Sequence, residues 1–156
     1  MITLQQHQNM VQMIAALRND QQIPDSGFDM NNVIKLSDED VTRLSGTKAL
    51  QDPDASPESC GTAGCVMGHA PMLFPEQIKW GRLIAGTFRL RYEDQWHEVH
   101  WYSAAQGLFG MSLTEVWEML STGGKPYAHL LDDAPNKRLV ANTLEAWLNK
   151  QTVYEP

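Results

Sequence analysis

The sequence predicts a single α+β domain that is mainly helical, with about five or six helices around a central glycine-rich helix and one small β-hairpin. Apolar residues recur at helical spacing in several segments between residues 4 and 148, whereas one stretch near residues 87 to 101 alternates polar and apolar residues. The 156 residues contain no internal repeat and no linker that would divide them. A chain of this length can bury a core without disulfides or structural metals.

Two helices are predicted in the first third of the chain. Thr3 can cap a helix that runs to about Asn19, because Thr is a favoured N-cap residue. Ser37 and Asp40 resemble a capping box, which predicts a short helix over residues 38–44. The apolar face expected for the first helix consists of Leu4, Val11, Ile14 and Leu17.

The central helix is predicted over residues 60–72, where small residues and methionine predominate. Gly64 and Gly68 lie one turn apart on it, and a helix without side chains at two such positions allows another backbone to approach closely. Pro71 or Pro75 is expected to end the helix, because proline lacks the N–H that a helix interior needs. The segment therefore fits a buried position in the core.

A further helical turn is predicted over residues 78–84, and a β-hairpin follows it. Phe88, Leu90 and Tyr92 alternate with polar residues, so one face of this strand is expected to be apolar. Residues 93–95 can then turn the chain back into a second strand that ends near residue 101.

Three more helices are predicted in the C-terminal third. The first two cover residues 103–109 and 112–120 and are joined at Gly110, and Ser112 and Glu115 stand at capping-box spacing. The last covers residues 135–149 with Pro135 in its first turn. The apolar positions expected to face the core are Leu113, Val116, Trp117 and Leu120 in one helix and Leu139, Val140, Leu144, Trp147 and Leu148 in the other.

The net charge is −7, and it is unevenly distributed. Residues 20–58 hold nine acidic and three basic residues, a difference of −6. This balance argues against nucleic acid as a partner, because affinity for a phosphate backbone depends on clustered Lys and Arg. The segment is either a solvated acidic face or a surface for a basic protein partner. The residues expected to contact such a partner are Asp38, Glu39, Asp40, Asp52 and Asp54.

Cys60, Cys65 and His69 form the one cluster with the chemistry of zinc ligands. Cys65 and His69 are four residues apart and share a helix face, whereas Cys60 joins them only if it precedes the helix. Nothing in the spacing selects a fourth ligand among Glu58, His97, His100 and His129. The alternatives are two buried thiols beside a hydrogen-bonded histidine, which need no cofactor, and a nucleophilic cysteine at a helix N-terminus.

The absence of common catalytic motifs argues against an enzyme. A phosphatase-type loop needs an arginine six residues after its cysteine, and Val66 and Pro71 occupy those positions. No phosphate-binding loop of the Gly-x4-Gly-Lys type, Gly-x-Ser-x-Gly elbow or His-Glu-x-x-His helix occurs in the sequence.

The hairpin segment offers a second kind of site. Arg89 and Arg91 alternate with aromatic and apolar residues, a pattern that an anion or nucleotide site can use, although the solvent-facing side of a hairpin gives the same pattern. The residues predicted to surround a small-molecule or nucleotide pocket are Arg89, Arg91, Tyr92, Trp96 and Trp101.

Three segments resemble a group of uncharacterised bacterial and phage proteins. They are GFDM at residues 27–30, CGTAGCVMGHA at residues 60–70 and LFGMS at residues 108–112. The resemblance places Cys60, Gly61, Thr62, Cys65 and Gly68 at the positions of the group's Cys-Gly-Thr-x-x-Cys-x-x-Gly motif. It implies an intracellular protein of the bacterial or phage world and brings no known activity with it.

These observations lead to three hypotheses. The first is a non-enzymatic binding protein, in the setting of a phage or mobile-element accessory factor, that acts on a host protein through its acidic surface. The second is a small-molecule or nucleotide-signal binder, and the third is a zinc-site or thiol-dependent protein. The sequence shows no secretory signal, few cysteines and no membrane-length apolar run, so a cytoplasmic location away from membranes is expected. It does not predict the oligomeric state.

Overall fold

The computed structural model describes residues 1–32, 34, 36–46, 65–83, 86–122, 125–130 and 135–156, and their fold is a mainly helical α+β arrangement, as the sequence predicts. In chain order the elements are β1 (Ile2–Thr3), α1 (Leu4–Leu17), α2 (Asp38–Arg43), α3 (Val66–Leu73), β2 (Ile78–Trp80), β3 (Thr87–Tyr92), β4 (Gln95–His100), α4 (Trp101–Phe109), α5 (Leu113–Met119), α6 (Lys137–Leu148) and β5 (Val153–Tyr154). Short 3-10 turns cover Asp25–Gly27 and Lys125–Leu130.

At the start of several helices a polar side chain satisfies a free backbone N–H. Thr3 caps α1 and Ser112 caps α5, and Gln6 and Glu115 return a bond to the cap residue in each case. Ser37 accepts a bond from the backbone N–H of Asp40 at the start of α2. The three predicted helix starts are therefore confirmed.

One proline position agrees with one of the two predicted alternatives, and another differs from the sequence prediction. Pro71 lies inside α3, which continues to Leu73, so the helix ends shortly before Pro75. Pro135 precedes α6 instead of occupying its first turn, and the side chain of Asn136 caps that helix by accepting a bond from Leu139 N. An Asn cap satisfies one of the free N–H groups, which proline cannot do.

The core is organised around α1, which packs against α3, α4 and α6. Within the segment predicted as the central helix, α3 begins after Cys65. This helix packs on α1 and β2. Met10 and Met13 lie in the core, whereas the predicted core residue Val11 is exposed. The short strands β1 and β5 pair in parallel beside α1 and join the two ends of the chain.

Three antiparallel strands form a sheet in the order β2, β3, β4. The predicted hairpin is confirmed, with Tyr92 paired to Gln95 across a two-residue turn in which Glu93 and Asp94 have φ angles of 51° and 62°. The prediction of a helical turn over residues 78–84 is wrong, because Ile78–Trp80 pairs with β3 as a third strand. Ile78 and Trp80 are buried and the residue between them is exposed, which is the alternation of a strand.

One face of the sheet packs against α4, so the other face points away from that helix. Ile78 pairs with Leu90, and Trp80 pairs with Phe88 and stacks on its ring at 4.8 Å between centroids. A Cβ atom at Gly107 of α4 would come within 2.5 Å of Leu90, so helix and sheet approach closely here. The residues that alternate with these on β2, β3 and β4 consequently project from the opposite face.

A tight connection between α4 and α5 sets the position of Trp117 on α5. Gly110 ends α4 with a φ of 74°, a conformation that favours glycine. A Cβ atom there would lie 2.7 Å from the side chain of Ile2, so the position is also sterically restricted. None of the helices in the described ranges has the length and apolar character needed to cross a bilayer.

Candidate functional site

The side of the sheet that faces away from α4 concentrates basic residues around a tryptophan. Arg89 pairs with Lys79 on one neighbouring strand and with Glu98 on the other, and Arg91 pairs with Trp96. Directly paired residues point to the same face, so these five side chains share it. We call this surface the cationic sheet face, and it also includes Arg82, which follows β2.

The basic groups make specific contacts there. The Lys79 ammonium lies 4.5 Å from the centre of the Trp96 ring, a cation–π contact. Arg89 donates from Nε to the backbone carbonyl of Trp80 at 3.0 Å, and Arg91 pairs with Asp94 at 3.1 Å. The Lys79 and Arg91 side chains are exposed, so both can meet a ligand from solvent.

Glu98 is held between donors on this face. Arg82 pairs with it at 2.7 Å and the Thr87 hydroxyl donates to it at 2.8 Å. These hydrogen bonds, with that from Arg82 the strongest cause, lower the pKa of Glu98 below its usual value. Glu98 is therefore ionised at neutral pH and orders the Arg82 guanidinium beside the sheet.

The structure brings together three of the five residues that the sequence placed around a pocket. Arg89, Arg91 and Trp96 share the cationic sheet face. Tyr92 projects from the other face, where its ring meets His97 at 6.4 Å, because its position in β3 has the opposite parity. Trp101 begins α4 and lines a cleft of about 200 Å³ with Cys65 and Leu120, among others. The five residues do not line one pocket.

The predicted metal cluster can be followed only in part, because Cys60 lies outside the described residues. Cys65 is a free, buried thiol whose pKa is raised by burial, although backbone N–H groups of Met67 and Gly68 act in the opposite direction. His69 Nε2 lies 2.8 Å from the Gly27 carbonyl and donates to it. Within the described residues no group of three or more His, Cys, Asp or Glu is arranged to hold a metal ion.

The predicted partner-binding acidic residues are placed in different environments. Asp38 and Glu39 are exposed in the first turn of α2, whereas Asp40 is buried and pairs with Arg43 at 3.0 Å. Asp40 is thus engaged within the fold. Asp52 and Asp54 lie outside the described residues.

Lys79 and Arg82 were not predicted as members of a site. Both were assigned to a helical turn, and only the third strand brings Lys79 opposite Arg89. The alternation of Ile78, Lys79 and Trp80 is the signal that could have found them, but three residues are too few to separate a strand from a helical turn by periodicity.

Comparisons of the chain with protein-family models, with curated proteins and with solved structures find no match. The resemblance of the Cys-Gly-Thr segment to bacterial and phage proteins stays a prediction.

Proposed function

We propose that this chain is a cytoplasmic, non-enzymatic binding protein and that its ligand is a nucleotide held on the cationic sheet face. The observation that carries the proposal is the Lys79 ammonium over the Trp96 ring, beside Arg91 on the same face. A nucleotide combines an aromatic base with a phosphate, and this surface offers an aromatic ring and basic groups within one side-chain length of each other.

The existing contacts can rearrange around such a ligand. A base can replace the Lys79 ammonium on the Trp96 ring, and the released ammonium can then pair with the phosphate. The pairs of Arg91 with Asp94 and of Arg82 with Glu98 are exposed to solvent, where an ion pair contributes only about 0–1 kcal/mol. A dianionic phosphate can compete for these guanidinium groups because its charge is larger than that of one carboxylate.

The test is a titration of the protein with a panel of nucleoside mono-, di- and triphosphates, followed by thermal shift and calorimetry. A ligand at 100 times its dissociation constant adds about 2.7 kcal/mol to the free energy of unfolding. Lys79→Ala and Arg91→Ala are each expected to weaken binding about tenfold or more, as loss of a charge-assisted hydrogen bond does. Lys150→Ala is the matched control, since it removes an exposed charge from the end of α6. Absence of binding across the panel, or equal affinity of all three variants, would contradict the proposal.

A second candidate is a protein partner bound through acidic residues, as expected of an accessory factor that acts on a host protein. It is favoured by the exposure of the carboxylates in the segment before α3. The side chains of Asp20 and Asp25 both pair with Lys137 and are 83% and 88% exposed, and Asp38 and Glu39 are exposed on α2. Exposed like charges attract a basic surface and accelerate its encounter.

This second candidate predicts a charge-dependent complex. The double variant Asp38→Asn/Glu39→Gln is expected to lose most of any partner that the wild-type chain retains from bacterial lysate at low salt. A double variant with the same charge change elsewhere, Glu93→Gln/Glu155→Gln, controls for total charge. Equal retention by the two double variants would exclude α2 as the contact. The zinc or thiol hypothesis for Cys60, Cys65 and His69 stays a prediction.

A further inference from the structure

Aromatic side chains extend the cationic sheet face beyond Trp96. His100 pairs with Thr87 at the far end of β4, on the same face. Its ring stacks on Tyr102 with 5.3 Å between centroids and 14° between planes, and the Tyr102 ring lies 5.9 Å from Trp117. These three rings form a continuous platform, which we call the aromatic platform.

The outer end of this platform is open to solvent. Trp117 is 47% exposed and Leu113, one turn before it on α5, is 45% exposed. The sequence predicted both as core residues and that prediction is wrong, although Val116 and Leu120 of the same predicted set are buried, together with Met119. Large exposed side chains that adjoin one another are typical of binding surfaces.

Basic groups lie between the two aromatic regions. Trp96 and His100 are four residues apart on an extended strand, which is about 13 Å. Arg82, held by Glu98, lies in this interval, and Lys79 and Arg91 flank Trp96. Along β4 the surface therefore presents the Trp96 ring, then a charged region, and then the rings of the aromatic platform.

We propose that the cationic sheet face and the aromatic platform together bind single-stranded nucleic acid. Bases stack on Trp96 and on the Trp117 end of the platform, while Lys79, Arg82 and Arg91 contact the phosphates between them. Stacking on aromatic side chains along a positively charged surface is the way in which proteins bind single strands without base-specific contacts. A duplex does not fit this surface because its bases are paired and cannot reach the rings. The inference rests on the proposed function, which itself needs only the Trp96 end.

The net charge of −7 argues against nucleic acid as a partner, but the charge is unevenly distributed. Four of the twelve lysines and arginines occur within residues 79–91, two of them paired with Glu98 and Asp94, and the acidic excess of the chain lies in residues 20–58. The local charge that a bound strand meets is thus different from the sum over the chain. Phosphate contacts depend on nearby charges because exposed charges more than about 10 Å away are largely screened at 0.1 M salt.

The experiment measures the affinity of the full chain for dT12 and rU12, for the mononucleotides dTMP and UMP, and for a 12-base-pair duplex. A single strand is expected to bind at least tenfold more tightly than its mononucleotide and than the duplex. The logarithm of the association constant is expected to fall with the logarithm of salt concentration with a slope of about −2, as for three phosphate contacts.

The decisive variant is Trp117→Ala, with Tyr154→Ala as a control at an exposed aromatic residue on β5. Trp117→Ala is expected to weaken oligonucleotide binding about five- to a hundredfold and to leave mononucleotide binding unchanged. Trp117→Phe should restore most of the affinity, because it keeps a stacking ring. Circular dichroism of each variant shows whether the fold is retained.

Several outcomes separate the two proposals. Binding of mononucleotide without tighter binding of the strand overturns the inference and leaves the proposed function standing, whereas no binding of either overturns both. A duplex that binds as tightly as the strand, or a Trp117→Ala variant that binds the strand normally, also overturns the inference. Loss of a protein partner in Trp117→Ala with unchanged oligonucleotide affinity would assign the aromatic platform to protein docking.

Discussion

Replacing Asn9 with alanine is expected to lower the free energy of unfolding by about 2–4 kcal/mol, although Asn9 is a polar residue in the middle of α1. Its side chain is buried, with 2% exposed. Its amide nitrogen donates to Gln77 Oε1 at 2.8 Å and to the Leu108 carbonyl at 2.9 Å, and its oxygen accepts from Gln77 Nε2 at 3.0 Å. Alanine would leave the Leu108 carbonyl without this donor in the interior, and a buried polar group without a partner costs about 1–3 kcal/mol.

Gln5→Ala is the control for this prediction. Gln5 also bonds to Asn9, from Nε2 to Oδ1 at 3.0 Å, but it is exposed and water can replace it, so a loss below about 1 kcal/mol is expected. Urea unfolding followed by circular dichroism measures both variants. Equal losses for the two variants would show that the Asn9 network does not stabilise the core.

The Asn9 network also links the core to the candidate site. The Gln77 side chain bonds to Asn9, and the Gln77 backbone carbonyl accepts a bond from the N–H of Arg91 at 2.9 Å. Helix α1 is thereby connected to the strand that carries Arg91. The core therefore holds the backbone of the cationic sheet face in place, while the side chains of this face point away from the core towards solvent.

Helix starts and the hairpin could be predicted because their signals are local. A hydroxyl followed three residues later by Gln or Glu satisfies backbone groups within one turn, as at Thr3 and Ser112. The hairpin depends on alternation and on a turn at Glu93 and Asp94, which adjoin the strands they connect. Neither feature requires knowledge of the rest of the fold.

Strand β2 could not be predicted because its stability comes from a partner. Ile78–Trp80 is three residues long, and its backbone is satisfied by pairing with β3. Val11 and Trp117 show the same limit, since helical spacing identifies apolar residues but does not show which of them an adjacent element covers. The candidate site could not be predicted in full for the same reason, because only the pairing of β2 with β3 brings Lys79 beside Arg89.

Tyr127 provides a test of the core through its dependence on pH. It lies in the turn Lys125–Leu130 with 2% of its surface exposed, and its hydroxyl donates to the Met119 carbonyl at 2.8 Å. Burial raises the pKa of Tyr127 to about 12, and an interaction with Thr143 opposes this only in part. The fold therefore disfavours the ionised side chain, which forms readily in the unfolded chain with a pKa near 10.

The free energy of unfolding is expected to be unaffected by this group below about pH 9 and to fall as the pH rises from 10 towards 12, because the unfolded chain then loses the proton first. The loss reaches about 1.4 kcal/mol at pH 11 and about 2.7 kcal/mol in total, from two pKa units at 1.36 kcal/mol each.

Tyr127→Phe is expected to cost about 1 kcal/mol at pH 8 through the lost hydrogen bond to Met119, and this deficit should vanish near pH 11. Urea unfolding of both proteins and of the exposed control Tyr154→Phe at pH 8, 10 and 11 measures it. A deficit that stays constant between pH 8 and 11 would show that Tyr127 ionises as easily in the fold as in the unfolded chain, and would contradict its burial against Met119.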